Sequence, residues 1–190
     1  MPVDRPPDED PGWQFSPRML AFMLPGYEQF FGRRRAVDTL AATRQAFTGF
    51  TGSLVLYGVV LFFLEPGQRD LKRSPGLALV FTAVAALNSL ITPRLLEKPL
   101  EGTDFKALAA SYQVRFFLRV AFAEFAALIG FVMFFVANEW WAYPLGVAVA
   151  AVGFARLAPT KANLAKDQAD LRRRGNQLSL VAALRQPKAT

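Results

Sequence analysis

The sequence predicts an all-α, polytopic membrane protein with four transmembrane helices. Four apolar stretches each approach or exceed the ~20 residues that a helix needs to cross a hydrocarbon core about 30 Å thick. They occupy residues 46–64, 75–93, 116–137 and 140–158 of a 190-residue chain that is 53% hydrophobic. Most of the connections between them are too short to hold another domain. We therefore predict one four-helix membrane domain at residues 46–158, with segments outside the membrane at both ends.

The distribution of Lys and Arg predicts the orientation. Six precede the first stretch, three lie between the first and second, four between the second and third, none between the third and fourth, and eight follow the fourth apolar core if Arg156 is included. Placing both termini in the cytoplasm puts 18 of these residues inside and three outside. Trp140, Trp141 and Tyr143 then lie at the outer interface. We expect a multi-pass protein of a bacterial inner (plasma) membrane.

The chain before the first stretch divides into two parts. Residues 1–15 are rich in Pro and acidic residues and are predicted to be a disordered cytoplasmic tail. Residues 16–45 are predicted to form a cytoplasmic or interfacial helical segment, because Ser16 and Pro17 resemble a helix start before several Phe, Met and Leu. The cluster Arg33, Arg34 and Arg35 either contacts anionic inner-leaflet headgroups or serves only to set the topology.

The four helices are predicted to form two antiparallel hairpins. Residues 56–64 and 128–136 align without gaps at an offset of 72, which indicates either a duplicated hairpin or the shared composition of apolar helices. Pro93 and Pro159 are expected to close the second helix of each half. Asn138 and Glu139 connect the third and fourth helices so briefly that these two must be antiparallel neighbours.

Glu124 is the only acidic residue within the four apolar stretches. A carboxylate at membrane depth is costly and therefore marks a functional site by default. Three interpretations remain open: a structural hydrogen bond to Asn88, Ser89 or Arg156, a proton or cation carrier, or a contact to another membrane subunit. The predicted intramembrane polar site gathers the residues on the cytoplasmic side: Glu124, Asn88, Ser89, Thr92, Arg119 and Arg156.

Residues 159–190 are predicted to be a cytoplasmic helix and tail. Thr160 is expected to cap a helix that runs to Arg174 and is ended by Gly175. Ser179 is expected to start one further helical turn. We predict that Arg172, Arg173 and Arg174 contact anionic inner-leaflet headgroups.

Composition excludes several kinds of chemistry. The chain has no Cys and no His, so thiolate metal sites, disulfides and imidazole bases are excluded. No phosphate-binding loop, dinucleotide motif or nucleophile–base pair is evident, so we predict that the protein is not an enzyme and needs no cofactor or metal. The positive charge follows the topology rule better than a nucleic-acid-binding face, so we expect no nucleic-acid partner.

The third stretch carries a resemblance. Its sequence, FFLRVAFAEFAALIGFVMFFVA, is similar to the carboxylate-bearing helix of ATP synthase c-type proteolipids. A duplicated hairpin with one carboxylate also resembles the four-helix proteolipids of V-type enzymes. The resemblance implies that Glu124 matches the proton-binding carboxylate. The glycine-rich partner helix and the Arg-Gln-Pro loop of that family are missing, so we treat the helix as chemically analogous and do not identify a rotor subunit. Overall the chain resembles small uncharacterised four-span membrane proteins of bacteria.

Three functions from different classes fit these features. The leading hypothesis is a non-catalytic accessory or stabilising subunit of a larger inner-membrane complex, whose partners are membrane lipids and other membrane subunits or further copies of itself. The first alternative is a small proton- or cation-coupled transporter or channel that uses Glu124. The second alternative is a lipid-binding membrane organiser that acts through the basic segments.

Overall fold

A computed structural model describes residues 9–10, 12–13, 38–64, 73–95 and 98–186. These residues are all-helical and contain no strand. The predicted Arg33, Arg34 and Arg35 cluster and most of the segments at residues 1–15 and 16–45 lie outside the described residues. The helices are listed here in chain order: α1 (Thr39–Phe63), α2 (Pro75–Leu95), α3 (Phe105–Val136), α4 (Ala142–Leu157), α5 (Lys161–Arg173) and α6 (Leu180–Arg185).

Three of these helices, α1, α2 and α3, are long and apolar enough to cross a membrane. The 16-residue α4 qualifies only when it is counted together with α5 as one broken span. The all-helical class and the presence of helices long and apolar enough to cross a membrane are thus confirmed for the described part of the chain.

The helix starts follow local chemistry. The Asp38 carboxylate accepts a hydrogen bond from the Ala41 amide (2.6 Å), and that of Asp104 accepts one from the Ala107 amide (2.7 Å). Each acid thereby satisfies an amide that has no partner inside the helix. These caps explain why α1 and α3 begin well before the apolar stretches that they contain. Pro75 occupies the first position of α2, where its missing amide proton costs nothing.

Two predicted helix ends have different outcomes. Gly175 has a φ of +84° and follows Arg174, the C-cap residue of α5, as the sequence predicts for a helix terminator. Pro93 does not close its helix, because α2 continues to Leu95. Proline removes one backbone hydrogen bond but is tolerated near the end of a helix, where few residues remain to be disrupted.

The chain divides into two compact units. Unit 1 comprises Met1–Gly49, Pro99–Val114 and Ala158–Thr190. In this unit α5 and α6 pack against each other, and its buried core includes large aliphatic side chains from four segments of the chain. These are Leu40, Leu100, Leu108, Leu164, Leu171, Leu180 and Leu184.

Unit 2 comprises Phe50–Lys98 and Arg115–Leu157. Within it α2 packs on α4, and a buried cluster forms from Ala78, Met133, Ala137 and Ala142. The helices α3 and α4 are antiparallel, because a later residue of α3 lies against an early residue of α4 and an earlier residue of α3 lies against a late residue of α4. Gly130 lies against Ala142, and Gly153 lies against Ala123. Asn138 makes the turn between these helices with a φ of +54°, a left-handed conformation that Asn adopts more readily than most residues.

Candidate functional site

Glu124 lies in α3 within unit 2, and 9% of its surface is exposed. The Ser53 hydroxyl on α1 lies 3.0 Å from its Oε1 atom and 2.8 Å from the Phe50 carbonyl oxygen. The partner of Glu124 is therefore Ser53, whereas the sequence analysis considered Asn88, Ser89 and Arg156. The bond ties α1 to α3 inside the apolar part of the protein.

A second polar contact joins α4 to α1 at Leu54, the residue that follows Ser53. The buried Tyr143 hydroxyl donates a hydrogen bond to the Leu54 carbonyl oxygen. Its ring lies 6.1 Å from that of Phe131, which lies 5.3 Å from that of Tyr57. An aromatic cluster from α1, α3 and α4 thus surrounds the hydrogen bond. These contacts fix the part of unit 2 that contains Glu124.

The other residues of the predicted intramembrane polar site lie on α2, α3 and α4. The Thr92 hydroxyl donates to the Asn88 side-chain oxygen (2.6 Å), and both residues belong to α2. The buried Ser89 hydroxyl has no hydrogen-bond partner among the described residues. Arg119 is half-buried on α3, while Arg156 is exposed near the end of α4. The hydrogen bonds bring Ser53 together with Glu124, and Thr92 together with Asn88.

In unit 1, the Arg44 side chain makes four hydrogen bonds to described residues, whereas its sequence position indicated only a charge that sets the topology. Its Nη2 atom lies 2.8 and 2.7 Å from the two carboxylate oxygens of Asp10. Its Nε atom donates to the Pro159 carbonyl oxygen (3.1 Å), and Nη1 donates to the Gly12 carbonyl oxygen (2.7 Å). The guanidinium also lies 5.6 Å from the centre of the Trp13 ring.

This ion pair is buried, with side-chain exposures of 5% for Arg44 and 9% for Asp10. Arg44 joins three segments that are distant in sequence: the residues around Asp10, the first turns of α1 and the connection between α4 and α5. A buried charge pair is tolerated only when its remaining hydrogen-bonding groups are also satisfied, and here they are bonded to two backbone carbonyls. We refer to this arrangement as the Arg44 junction.

A cavity of about 350 Å³ lies beside the junction in unit 1. Five residues on one face of α5 line it: Lys161, Leu164, Ala165, Gln168 and Arg172. The remaining lining residues are Glu9, Asp10, Ser179 and Val181. We refer to this cavity as the α5 groove. Its volume falls within the range of about 300–1,000 Å³ that is usual for ligand sites.

The walls of the α5 groove are fixed by hydrogen bonds. The Gln168 amide nitrogen donates to the Leu178 carbonyl oxygen (3.0 Å), and its amide oxygen accepts from the Leu180 backbone amide (2.6 Å). Asn176 donates to the Gly102 carbonyl oxygen (2.9 Å) and holds the connection between α5 and α6 in place. The groove is therefore preorganised, because its lining elements are joined by side-chain bonds.

The three predicted lipid-contact residues at the end of α5 differ in their surroundings. Arg172 lines the α5 groove, whereas Arg173 and Arg174 both contact Asp170, at 3.5 and 3.1 Å. All three are exposed.

Comparison of the chain with protein-family models, with curated proteins and with solved structures found no match.

Proposed function

We propose that the protein is a non-catalytic accessory subunit that stabilises a larger bacterial inner-membrane complex. The observation that carries this proposal is the Arg44 junction. Insertion of apolar helices into a membrane does not require a buried ion pair, which costs desolvation free energy. The junction instead fixes the shape of unit 1. A rigid unit attached to apolar helices is what a subunit needs to hold a partner in a defined position.

The test is purification from the native cell in a mild detergent at the protein's own expression level. We expect stoichiometric partners to remain bound through the whole purification. We also expect Asp10→Ala to release them, since the loss of the ion pair disorganises unit 1, whereas Arg173→Ala at an exposed pair retains them. A monodisperse monomer without partners contradicts the proposal.

The proposed topology places both termini in the cytoplasm. Because the chain contains no Cys, single cysteines can be introduced without a background signal. Trp140 is 60% exposed between α3 and α4, and Ala162 is exposed on α5. We expect a membrane-impermeant maleimide to label Trp140→Cys in intact spheroplasts and Ala162→Cys only after permeabilisation. The reverse pattern indicates the opposite orientation.

A second candidate function is a proton- or cation-coupled transporter, and a hydrogen-bond count favours it. The Ser53 hydroxyl has a single proton but lies within bonding distance of both the Phe50 carbonyl oxygen and the Glu124 carboxyl group. The carboxyl group and the carbonyl oxygen therefore compete for that one proton, so the hydrogen bond between Ser53 and Glu124 can open without leaving the hydroxyl unbonded. A carboxyl group that lies between two helices and is held by a hydrogen bond that can open is suited to a proton or cation carrier.

This candidate predicts a flux that depends on Glu124. In liposomes that contain the purified protein, Glu124→Gln should abolish the flux, because an amide cannot exchange the proton. Ser53→Ala is expected to reduce it, while Thr92→Ala, in the other hydrogen-bonded pair, leaves it unchanged. If the wild-type liposomes show no flux, this second function is excluded.

A further inference from the structure

The α5 groove has a pattern of charge that the function above does not use. Lys161 and Arg172 lie eleven residues apart on α5, which is about three helical turns, so they share one face and are separated by roughly 16 Å along the axis. Within the described part of the chain, neither cation has a hydrogen-bond or ion-pair partner. The groove therefore has an uncompensated positive charge near each end.

Apolar side chains contribute to the lining between the two cations, beside the polar Gln168 and Ser179. Leu164 is 2% exposed and forms part of the lining together with Ala165 and Val181. Of the two acids that line the groove, Asp10 is neutralised by Arg44 and only the exposed Glu9 remains uncompensated. When the Arg44 guanidinium that neutralises Asp10 is included, the charges at the groove sum to +1, with Lys161, Arg172 and Arg44 on one side and Glu9 and Asp10 on the other. The apolar part of the lining is suited to an aliphatic side chain.

These dimensions fit one kind of ligand. An extended peptide advances about 3.3 Å per residue, so two acidic residues five positions apart are separated by the same distance as the two cations. A single phosphate or lipid headgroup is too small to meet both cations while the apolar lining between them is also covered. The spacing of the two cations therefore favours a peptide over a single headgroup, and the charges of its two acids complement them.

We propose that the α5 groove binds an extended acidic segment of a partner protein, with one acidic side chain at Lys161, another at Arg172 and an aliphatic side chain against Leu164. This inference rests on the proposed accessory function and names the chemistry of the partner. The first-turn and last-turn positions of the two cations on α5 set the spacing of the acids in the segment.

The test uses the full chain purified in a nonionic detergent and a dye-labelled hexapeptide, Glu-Ala-Leu-Ala-Ala-Glu, as the probe. Fluorescence anisotropy should show binding that weakens as salt is added. The same peptide with Gln in place of both Glu residues should bind at least about tenfold more weakly, because two partly exposed ion pairs are lost. Vesicles of phosphatidylglycerol serve as the competing ligand.

The matched variants remove the same charge from different faces of α5. Lys161→Gln combined with Arg172→Gln is expected to weaken peptide binding about tenfold. Lys166→Gln combined with Arg173→Gln lowers the net charge equally, but these residues do not line the groove, and we expect a change of less than about twofold. Equal effects of the two pairs overturn the proposal, as does a failure of the acidic peptide to bind.

Two further outcomes are also decisive. If phosphatidylglycerol vesicles bind through Lys161 and Arg172 and the peptide does not, the groove is a lipid site and the peptide proposal is wrong. If native partners co-purify with the Lys161→Gln/Arg172→Gln variant as they do with wild type, the accessory function stands and the groove is not its docking site.

Discussion

Asp10→Ala is expected to lower the free energy of unfolding of unit 1 by about 3–5 kcal/mol, the usual cost of removing one partner from a buried ion pair. The substitution leaves the Arg44 guanidinium buried at 5% side-chain exposure, without a counter-charge. The carbonyl groups of Gly12 and Pro159 cannot replace that charge, because they already accept from the other guanidinium nitrogens. Thermal unfolding in detergent and limited proteolysis of the α4–α5 connection measure the effect.

The control for this prediction is the exposed pair of Arg173 and Asp170. Its Arg side chain is 77% exposed, so solvent screens the interaction and Arg173→Ala should change stability by no more than about 1 kcal/mol. A double substitution, Asp10→Leu with Arg44→Met, removes both charges and should recover much of the loss. If Asp10→Ala and Arg173→Ala have similar effects, the Arg44 junction does not stabilise unit 1.

The helices of the described region could be predicted because their signals are local. Thr160 caps α5 through the Asn163 amide, and Ser179 caps α6 through the Ala182 amide, each at 3.3 Å and as the sequence indicates. Both partners lie three residues along the chain. The apolar stretches do not give the starts of α1 and α3, because they mark the residues that prefer hydrocarbon, and a helix continues beyond them until its backbone amides are capped.

The contacts that define the candidate sites could not be predicted in the same way. Asp10 and Arg44 are 34 residues apart, and Ser53 and Glu124 are 71 apart. Their pairing depends on how the helices pack, which a single sequence does not encode in any local pattern. Glu124 itself was identifiable, because an acid inside an apolar stretch is rare, but its partner was not. Arg44 gave no comparable signal, since it resembles the other basic residues that precede a first span.

Packing between α3 and α4 gives the second large expected effect. Gly146→Ala should lower the stability of unit 2 by about 1–3 kcal/mol, because a Cβ atom there would clash with the Ala126 carbonyl oxygen and lie 3.0 Å from the Ala127 Cα atom. Both obstacles are backbone atoms of a helix, so neither can move aside as a flexible side chain would. Gly130→Ala should act similarly, since its Cβ atom would lie 2.5 Å from the Ala142 carbonyl oxygen.

Gly76 provides the matched control for these substitutions. It also lies in a helix of unit 2, but a Cβ atom there would meet nothing within 4 Å. Gly76→Ala should therefore be neutral or stabilising by up to about 1 kcal/mol, because alanine loses less conformational entropy than glycine in a helix. Unfolding midpoints in mixed detergent micelles distinguish the two cases. If Gly146→Ala is as stable as Gly76→Ala, then α3 and α4 do not approach each other as closely as small residues permit. The proposed contact between Gly146 and α3 is then contradicted.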